Sequence, residues 1–214
     1  MLEKLNEKLN KLEINMSNFY EDGRNNSIKD EQLIINILNE NKIFDKDIFI
    51  PSIRCWFDFS IDNYIFNIKS STCSTYDNAG NIKLLLYLFH PKQFSVEEIN
   101  NMSNSRGNIL LDEYIDNICS GEELFPQKIH RDYFYLIHNK ENSSLYATSL
   151  MNIPNDAFKA NAKNKPFQIH WGLAKKKTTF STQEQIKYII NIYIDSCRKE
   201  ASRIYKYNYL YAKV

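Results

Sequence analysis

Cys55-Trp56-Phe57-Asp58-Phe59-Ser60-Ile61-Asp62-Asn63-Tyr64-Ile65-Phe66-Asn67-Ile68-Lys69-Ser70-Ser71 is the stretch on which the fold turns. With Ile53 and Arg54 before it, Ile53, Cys55, Phe57 and Phe59 alternate with Arg54, Trp56, Asp58 and Ser60, the two-residue period of a strand. Asp62-Asn63 supplies a tight turn, and Tyr64 to Lys69 read as the returning strand, so a hairpin is expected. Since side chains alternate, Asn67 and Lys69 share one face, and the hairpin can bring Asp58 opposite them.

Upstream, Leu2, Leu5, Leu9, Leu12 and Met16 recur in steps of three and four, which predicts an N-terminal helix over residues 1–16. Such a stripe either packs on the domain or pairs with a second copy. The polar run Glu21 to Ser27 reads as a turn, with Ser27 or Asp30 capping a helix through Leu33, Ile34, Ile37 and Leu38. Downstream, Asp77 or Asn78 could cap a helix through Ile82, Leu85, Leu86 and Phe89, and Arg106-Gly107-Asn108 reads as a turn. Tyr133 to Ile137, Leu145 to Leu150 and Phe167 to Trp171 read as further strands. A long amphipathic helix follows from Thr182 to about Tyr205, with Thr182 and Gln185 at capping-box spacing. The expected architecture is α/β, one domain over residues 1–214, with a central mixed sheet flanked by helices and a long C-terminal helix.

Composition narrows the classes. At 214 residues and 43% apolar, the chain can bury one sizeable core. Its four cysteines, Cys55, Cys73, Cys119 and Cys197, lie far apart with no zinc spacing. No signal peptide opens the sequence and no apolar run reaches membrane length, so a soluble cytoplasmic protein is expected. The net charge of +1 conceals an asymmetry: from Lys159 onward there are about 12 Lys and Arg against about 3 Asp and Glu. A basic region on a near-neutral chain fits either a bound polyanion or a solvated lysine surface.

The hairpin also has the makings of a phosphodiester-hydrolysing centre. That reaction needs a carboxylate to hold Mg²⁺ against the phosphate and a second oxygen ligand to fix the metal. It also needs a cation to orient water or steady the pentavalent phosphate. Asp58, Asn67 and Lys69 match those roles in that order. The plain alternative is a hairpin with a polar exposed face.

At these residues the sequence resembles the PD-(D/E)xK nuclease superfamily and, within it, the type II restriction endonucleases of the EcoRV and HincII branch. Glu31 and Glu40 lie on a helix before the hairpin, where that branch places an additional active-site carboxylate; Asp62 is another candidate. Lys69 is followed directly by a Ser/Thr run, Ser70 to Thr75. Pro166 to Trp171, a basic loop and Ser181-Thr182-Gln183-Glu184 look like the closing strand, loop and helix of the HincII type. Two departures stand out: no proline precedes Asp58, and Asn67 occupies the position of the family's second acid.

The resemblance implies a restriction-endonuclease-like core, Mg²⁺ held by Asp58, Asn67 and Glu31, and a homodimer cutting double-stranded DNA at a short palindromic site. Residue types suggest the DNA contacts. They are Arg24, Asn25 and Asn26 before the Glu31 helix, Ser71 and Thr72 beside the lysine, and Lys163, Asn164, Lys165, Gln168, His170, Lys175 and Lys176 in the basic region. Two other readings fit the same residues: a repair or junction nuclease without sequence specificity, and a non-catalytic DNA-binding protein whose site Asn67 has disabled.

Overall fold

The computed structural model describes residues 2–12, 14, 23–51, 55–123, 126, 129, 131–161 and 166–199, the side chains of 23–28 excepted. The elements run α1 (Leu2–Leu9), α2 (Gly23–Glu40), β1 (Phe59–Ile61), β2 (Tyr64–Ser71), β3 (Tyr76–Asn78), α3 (Ile82–Phe89), α4 (Val96–Asn101) and α5 (Asn104–Ser120). They continue with β4 (Tyr133–Asn139), β5 (Ser144–Ser149), β6 (Phe158–Ala160), β7 (Phe167–His170), α6 (Trp171–Ala174) and α7 (Thr182–Arg198). The class is α/β with a mixed sheet, helices flanking it and a long helix near the C-terminus. Two compact units divide the chain: Met1–Thr75 with Tyr133–Leu150, and Tyr76–Asp132 with Met151–Val214.

In the first unit the expected hairpin is present and joins a four-stranded sheet in the order β1-β2-β4-β5. β2 and β4 run parallel and the other pairs antiparallel. One face carries a ladder of phenyl rings. Phe59 is paired with Phe66 and Phe66 with Phe134; the ring centroids lie 4.7 and 5.2 Å apart in stacked geometry. Ile34, Ile35 and Leu38 of α2 and Leu5 and Leu9 of α1 join this face in one buried core with Ile61, Ile68, Leu136, Leu145 and Ala147. The N-terminal stripe therefore packs on its own unit.

Several boundaries differ from the sequence reading. Helix α1 ends at Leu9, with Asn10 and Lys11 in a turn, and Met16 lies outside the described residues. Helix α2 starts at Gly23, so Arg24-Asn25-Asn26 opens the helix in place of the expected loop. Tertiary packing of the Ile34/Leu38 stripe overrides the weak helix propensity of Gly and Asn. Strand β1 begins at Phe59, later than the alternation predicts, because Trp56 and Phe57 are both buried and the two-residue period fails there. Ile53 and Arg54 lie outside the described residues.

Both margins of the sheet are dressed. The Asn6 side chain donates to Ala147 O (2.9 Å) and accepts from Ala147 N (2.7 Å), so one amide imitates a further strand beside β5. Phe49 exchanges two backbone hydrogen bonds of 2.9 Å with Ser60 on the β1 side.

The second unit contains a separate three-stranded antiparallel sheet, β3-β7-β6, so the Phe167 strand is not part of the larger sheet. Helix α3 is buried from Leu84 to Phe89 and packs on α5. Asn81 caps α3, with Asp77 and Asn78 in β3, contrary to the cap expected there. Arg106-Gly107-Asn108 lies inside α5 and not in a turn; a Cβ on Gly107 would meet Leu86 at 3.4 Å, an ordinary contact. Helix α7 opens with a capping box between Ser181 and Glu184, one residue earlier than predicted, and Tyr205 lies outside the described residues. The four cysteines form no disulfide. Among the described residues no helix is long and apolar enough to cross a membrane.

Candidate functional site

Asp58 sits where β1 stops and β2 continues. Its backbone N–H donates to Phe66 O (2.9 Å), the residue already paired with Phe59, which makes a local bulge. Its Oδ2 accepts from the Ile68 N–H at 2.6 Å, so the side chain stands in for the carbonyl that a longer β1 would have offered. That bond holds the carboxylate close to the plane of the sheet. Phe66 and Ile68 face the core beneath α2, and by alternation Asn67 and Lys69 face the other way.

Glu31 approaches from helix α2. It lies one turn before Ile34 and Ile35 on the stripe that meets the sheet, and it is partly exposed. Burial pushes the Asp58 carboxyl up to about 6, and the Glu31 carboxylate pushes the same way. The Ile68 N–H and the Lys69 ammonium oppose the rise. Asp58 is thus a strained acid, with a like charge on one side and a cation on the other. Glu40 lies nine residues further along α2, about 13 Å away by helical rise. Asp62 occupies the hairpin tip and pairs with Lys46 at 2.6 Å. Of the three candidate extra acids, Glu31 is the one that acts on Asp58.

Asn67 contributes through a partner 66 residues distant. Tyr133, on the adjacent parallel strand β4, donates its hydroxyl proton to Trp56 O at 3.0 Å. Burial pushes the Tyr133 phenol well above its usual value, and the Asn67 side chain beside it pulls weakly the other way. Asn67 therefore lies against Tyr133 on this face of the sheet. Its carbonyl oxygen, Oδ1, is left buried with no hydrogen-bond partner. An orphaned buried carbonyl is costly unless something occupies it.

This donor set fits a hard divalent cation, which takes oxygen ligands. Asp58 has Oδ1 in addition to the oxygen bound to Ile68, and Glu31 adds a second carboxylate; Asn67, on the sheet face turned away from α2, has a buried Oδ1 with no partner. Among the described residues no group of three or more His, Cys, Asp or Glu is placed to hold a metal. Two neighbouring carboxylates, Asp58 and Glu31, are what this margin of the sheet offers.

No family model, no curated protein and no solved structure matches the chain. The chemistry is therefore read from these side chains alone.

The remaining candidates are scattered. Ser71 is buried, its hydroxyl accepting from Cys73 N at 3.1 Å, so it works inside the fold; Thr72 is exposed and bonded to Ser74. The side chains of Arg24, Asn25 and Asn26 and the whole of Lys163, Asn164 and Lys165 lie outside the described residues. In the second unit Gln168 and His170 share the outward face of β7, with Phe167 and Ile169 buried behind. His170 caps α6 through Nδ1, which accepts from Leu173 N at 3.4 Å, and its ring meets Tyr76 edge-on. Lys175 and Lys176 are exposed beyond α6. The sequence reading missed Tyr133. A buried tyrosine on a strand needs a hydroxyl partner, and that need was the available signal.

Proposed function

We propose that this chain is a Mg²⁺-dependent endonuclease that hydrolyses phosphodiester bonds in double-stranded DNA, of the type II restriction kind. The observation that carries the reading is the cluster just before β1: Asp58, bonded through one oxygen to Ile68 N–H, is raised by burial and by Glu31 and opposed by Lys69, and the next outward position of β2 is Asn67, with a buried, unpartnered oxygen.

In this reading Asp58, Glu31 and Asn67 hold Mg²⁺. When bound, the ion supplies charge neutralisation at the scissile phosphate and a more acidic water. Ile68 N–H fixes the Asp58 rotamer by holding one oxygen, so the other keeps a constant direction. Lys69 orients the attacking water and balances the negative charge that gathers on the phosphate oxygens, leaving a 5′-phosphate as in the enzymes the sequence resembles. Lys175, Lys176, Gln168 and His170 contact DNA, the lysines through phosphates and the β7 side chains through base edges. A homodimer on a palindromic site follows from the resemblance.

Digestion of plasmid and phage DNA by the purified chain tests this. Mg²⁺-dependent discrete bands, absent with chelator and in Lys69→Ala, are expected. A smear in place of bands marks a nuclease without sequence specificity. Tight binding with no cleavage under Mg²⁺ or Mn²⁺ marks a DNA-binding protein and sinks the enzyme.

A further inference from the structure

The turn of α2 that carries Glu31 is acted on from two sides. Toward β1, the Glu31 carboxylate lies near enough to Asp58 to disfavour its charge, so the two acids push the turn away from the sheet. Toward β4, the preceding residue, Asp30, has its Oδ2 3.2 Å from the Lys140 ammonium. The Asp30 and Lys140 side chains are 18% and 39% exposed, against 45% and 64% for Asp62 and Lys46, so this pair is the less screened of the two. Ile34, one turn on from Asp30, is buried in the core beneath the helix, so a pull on Asp30 is carried by a packed stretch of α2.

Lys140 projects from a fixed base. Its backbone N–H donates to Ser71 O at 2.8 Å, which ties it to the end of β2. His138 lies two residues earlier, 1% exposed and opposite Ser70 in the parallel register. The Ser70 hydroxyl and His138 Nδ1 are 2.9 Å apart, and turning the ring over would set a C–H against that hydroxyl and lose the bond. Nε2 is buried with no hydrogen-bond partner. Burial holds the imidazole below its usual range; Asp30 works against that and Lys140 with it. The ring is therefore neutral at pH 7 and leaves the Asp30 carboxylate to Lys140.

We propose that Lys140 is a positioning residue for the cation centre: by holding Asp30 it keeps the α2 turn on the sheet, and Glu31 near Asp58, against the repulsion of the two acids. The inference rests on the reading of Asp58 and Glu31 as Mg²⁺ ligands and adds what brings them together before the ion arrives. Two carboxylates left to repel each other move apart, and the ion must then reorder the turn as it binds. Carboxylates already convergent bind it more tightly, because that ordering is done beforehand. Removing the Lys140 charge sets two effects against each other. Bare Coulomb attraction predicts tighter binding of a cation once a neighbouring cation is gone. Loss of position predicts weaker binding, so the sign of the change separates them.

The test is Mg²⁺ and Mn²⁺ binding to the full chain by titration calorimetry, for wild type, Lys140→Met and Lys140→Arg, with cleavage at graded Mg²⁺ alongside. Lys140→Met keeps the stem and removes the charge; Lys140→Arg keeps the charge. Lys140→Met is expected to weaken binding of both ions about three- to tenfold and to raise the Mg²⁺ needed for half-maximal cleavage by the same factor. Its cleavage rate at saturating Mg²⁺ should stay within about twofold of wild type, because the ion then restores the turn. Lys140→Arg should bind both ions as wild type does. A merely structural ion pair would lower the melting temperature of Lys140→Met and leave ion binding by the folded protein unchanged or tighter, and that result overturns the proposal. So does a weakening that Lys140→Arg shares in full. Ion binding that follows the charge at position 140, in a protein that never cleaves, supports the positioning role and overturns the nuclease. Cleavage whose Mg²⁺ dependence ignores Lys140→Met overturns the positioning role and leaves the nuclease intact. Absence of ion binding by wild type overturns both.

Discussion

Asn67, on the inner strand β2 of the larger sheet, and Asn78, on the edge strand β3 of the smaller one, differ in their hydrogen-bonding state. Asn67 lies against Tyr133 and has a buried, unpartnered oxygen. Asn78 joins Asn161 and Gln168 in a cluster of three amides, at 2.8 and 3.2 Å. The same side chain is thus left with a buried, unpartnered oxygen in one unit and bonded to its neighbours in the other. The neighbours decide which. Residue type alone gives no access to this difference.

The largest expected effect tests the cation side. Lys69→Ala should lower Mg²⁺-dependent cleavage about 100- to 1,000-fold with little change in thermal stability, measured by plasmid nicking and by melting. Asp58→Asn should abolish cleavage and also stabilise the protein, because it removes a carboxylate that burial and Glu31 both disfavour. The raised value, about 6, means that Asp58 favours folding below pH 4 and that this contribution is lost as pH climbs through 6. The variant should therefore melt about 2–6 °C above wild type at pH 7.5, and the gain should vanish near pH 4. A loss of stability at pH 7.5 would mean the carboxylate is compensated and not poised.

Asn67→Asp sharpens the comparison by restoring the acid that the resembling family carries. A third carboxylate beside Asp58 and Glu31 should lower metal-free melting by a few degrees and reduce the Mg²⁺ needed for half-maximal cleavage about tenfold. If cleavage is unchanged across a Mg²⁺ titration, Asn67 does not touch the metal. Tyr133→Phe should cost about 1–2 kcal/mol and lower cleavage only a few-fold, since it frees the amide to turn without removing it. The smallest effect is expected at Asn6→Ala, about 1 kcal/mol in denaturant unfolding with cleavage unaltered, because that amide only dresses the sheet margin.

Legibility in the sequence followed the range of the forces. Phe59, Phe66 and Ile68 announced the hairpin because strand period is local, and Asn67 with Lys69 were placed on one face for the same reason. The alternation misread Trp56 and Phe57, where two large side chains are buried in succession and a bulge ends β1. Gly23, Asn25 and Asn26 looked like a turn, yet packing of residues 34–38 carries the helix back through them. Gly107 looked like a turn signal and lies inside a helix. The pairing of Asn67 with Tyr133, and that of Asn78 with Gln168, join residues 66 and 90 positions apart. No local pattern announces such pairs.

The most direct check is an anomalous difference map from crystals of this protein soaked in Mn²⁺. A single strong peak is predicted at about 2.1–2.3 Å from Asp58 Oδ1 and Asn67 Oδ1, with Glu31 completing the contact. A peak elsewhere, or none while Asn67 Oδ1 is found bonded to a protein donor, would contradict the cation site and the nuclease built upon it.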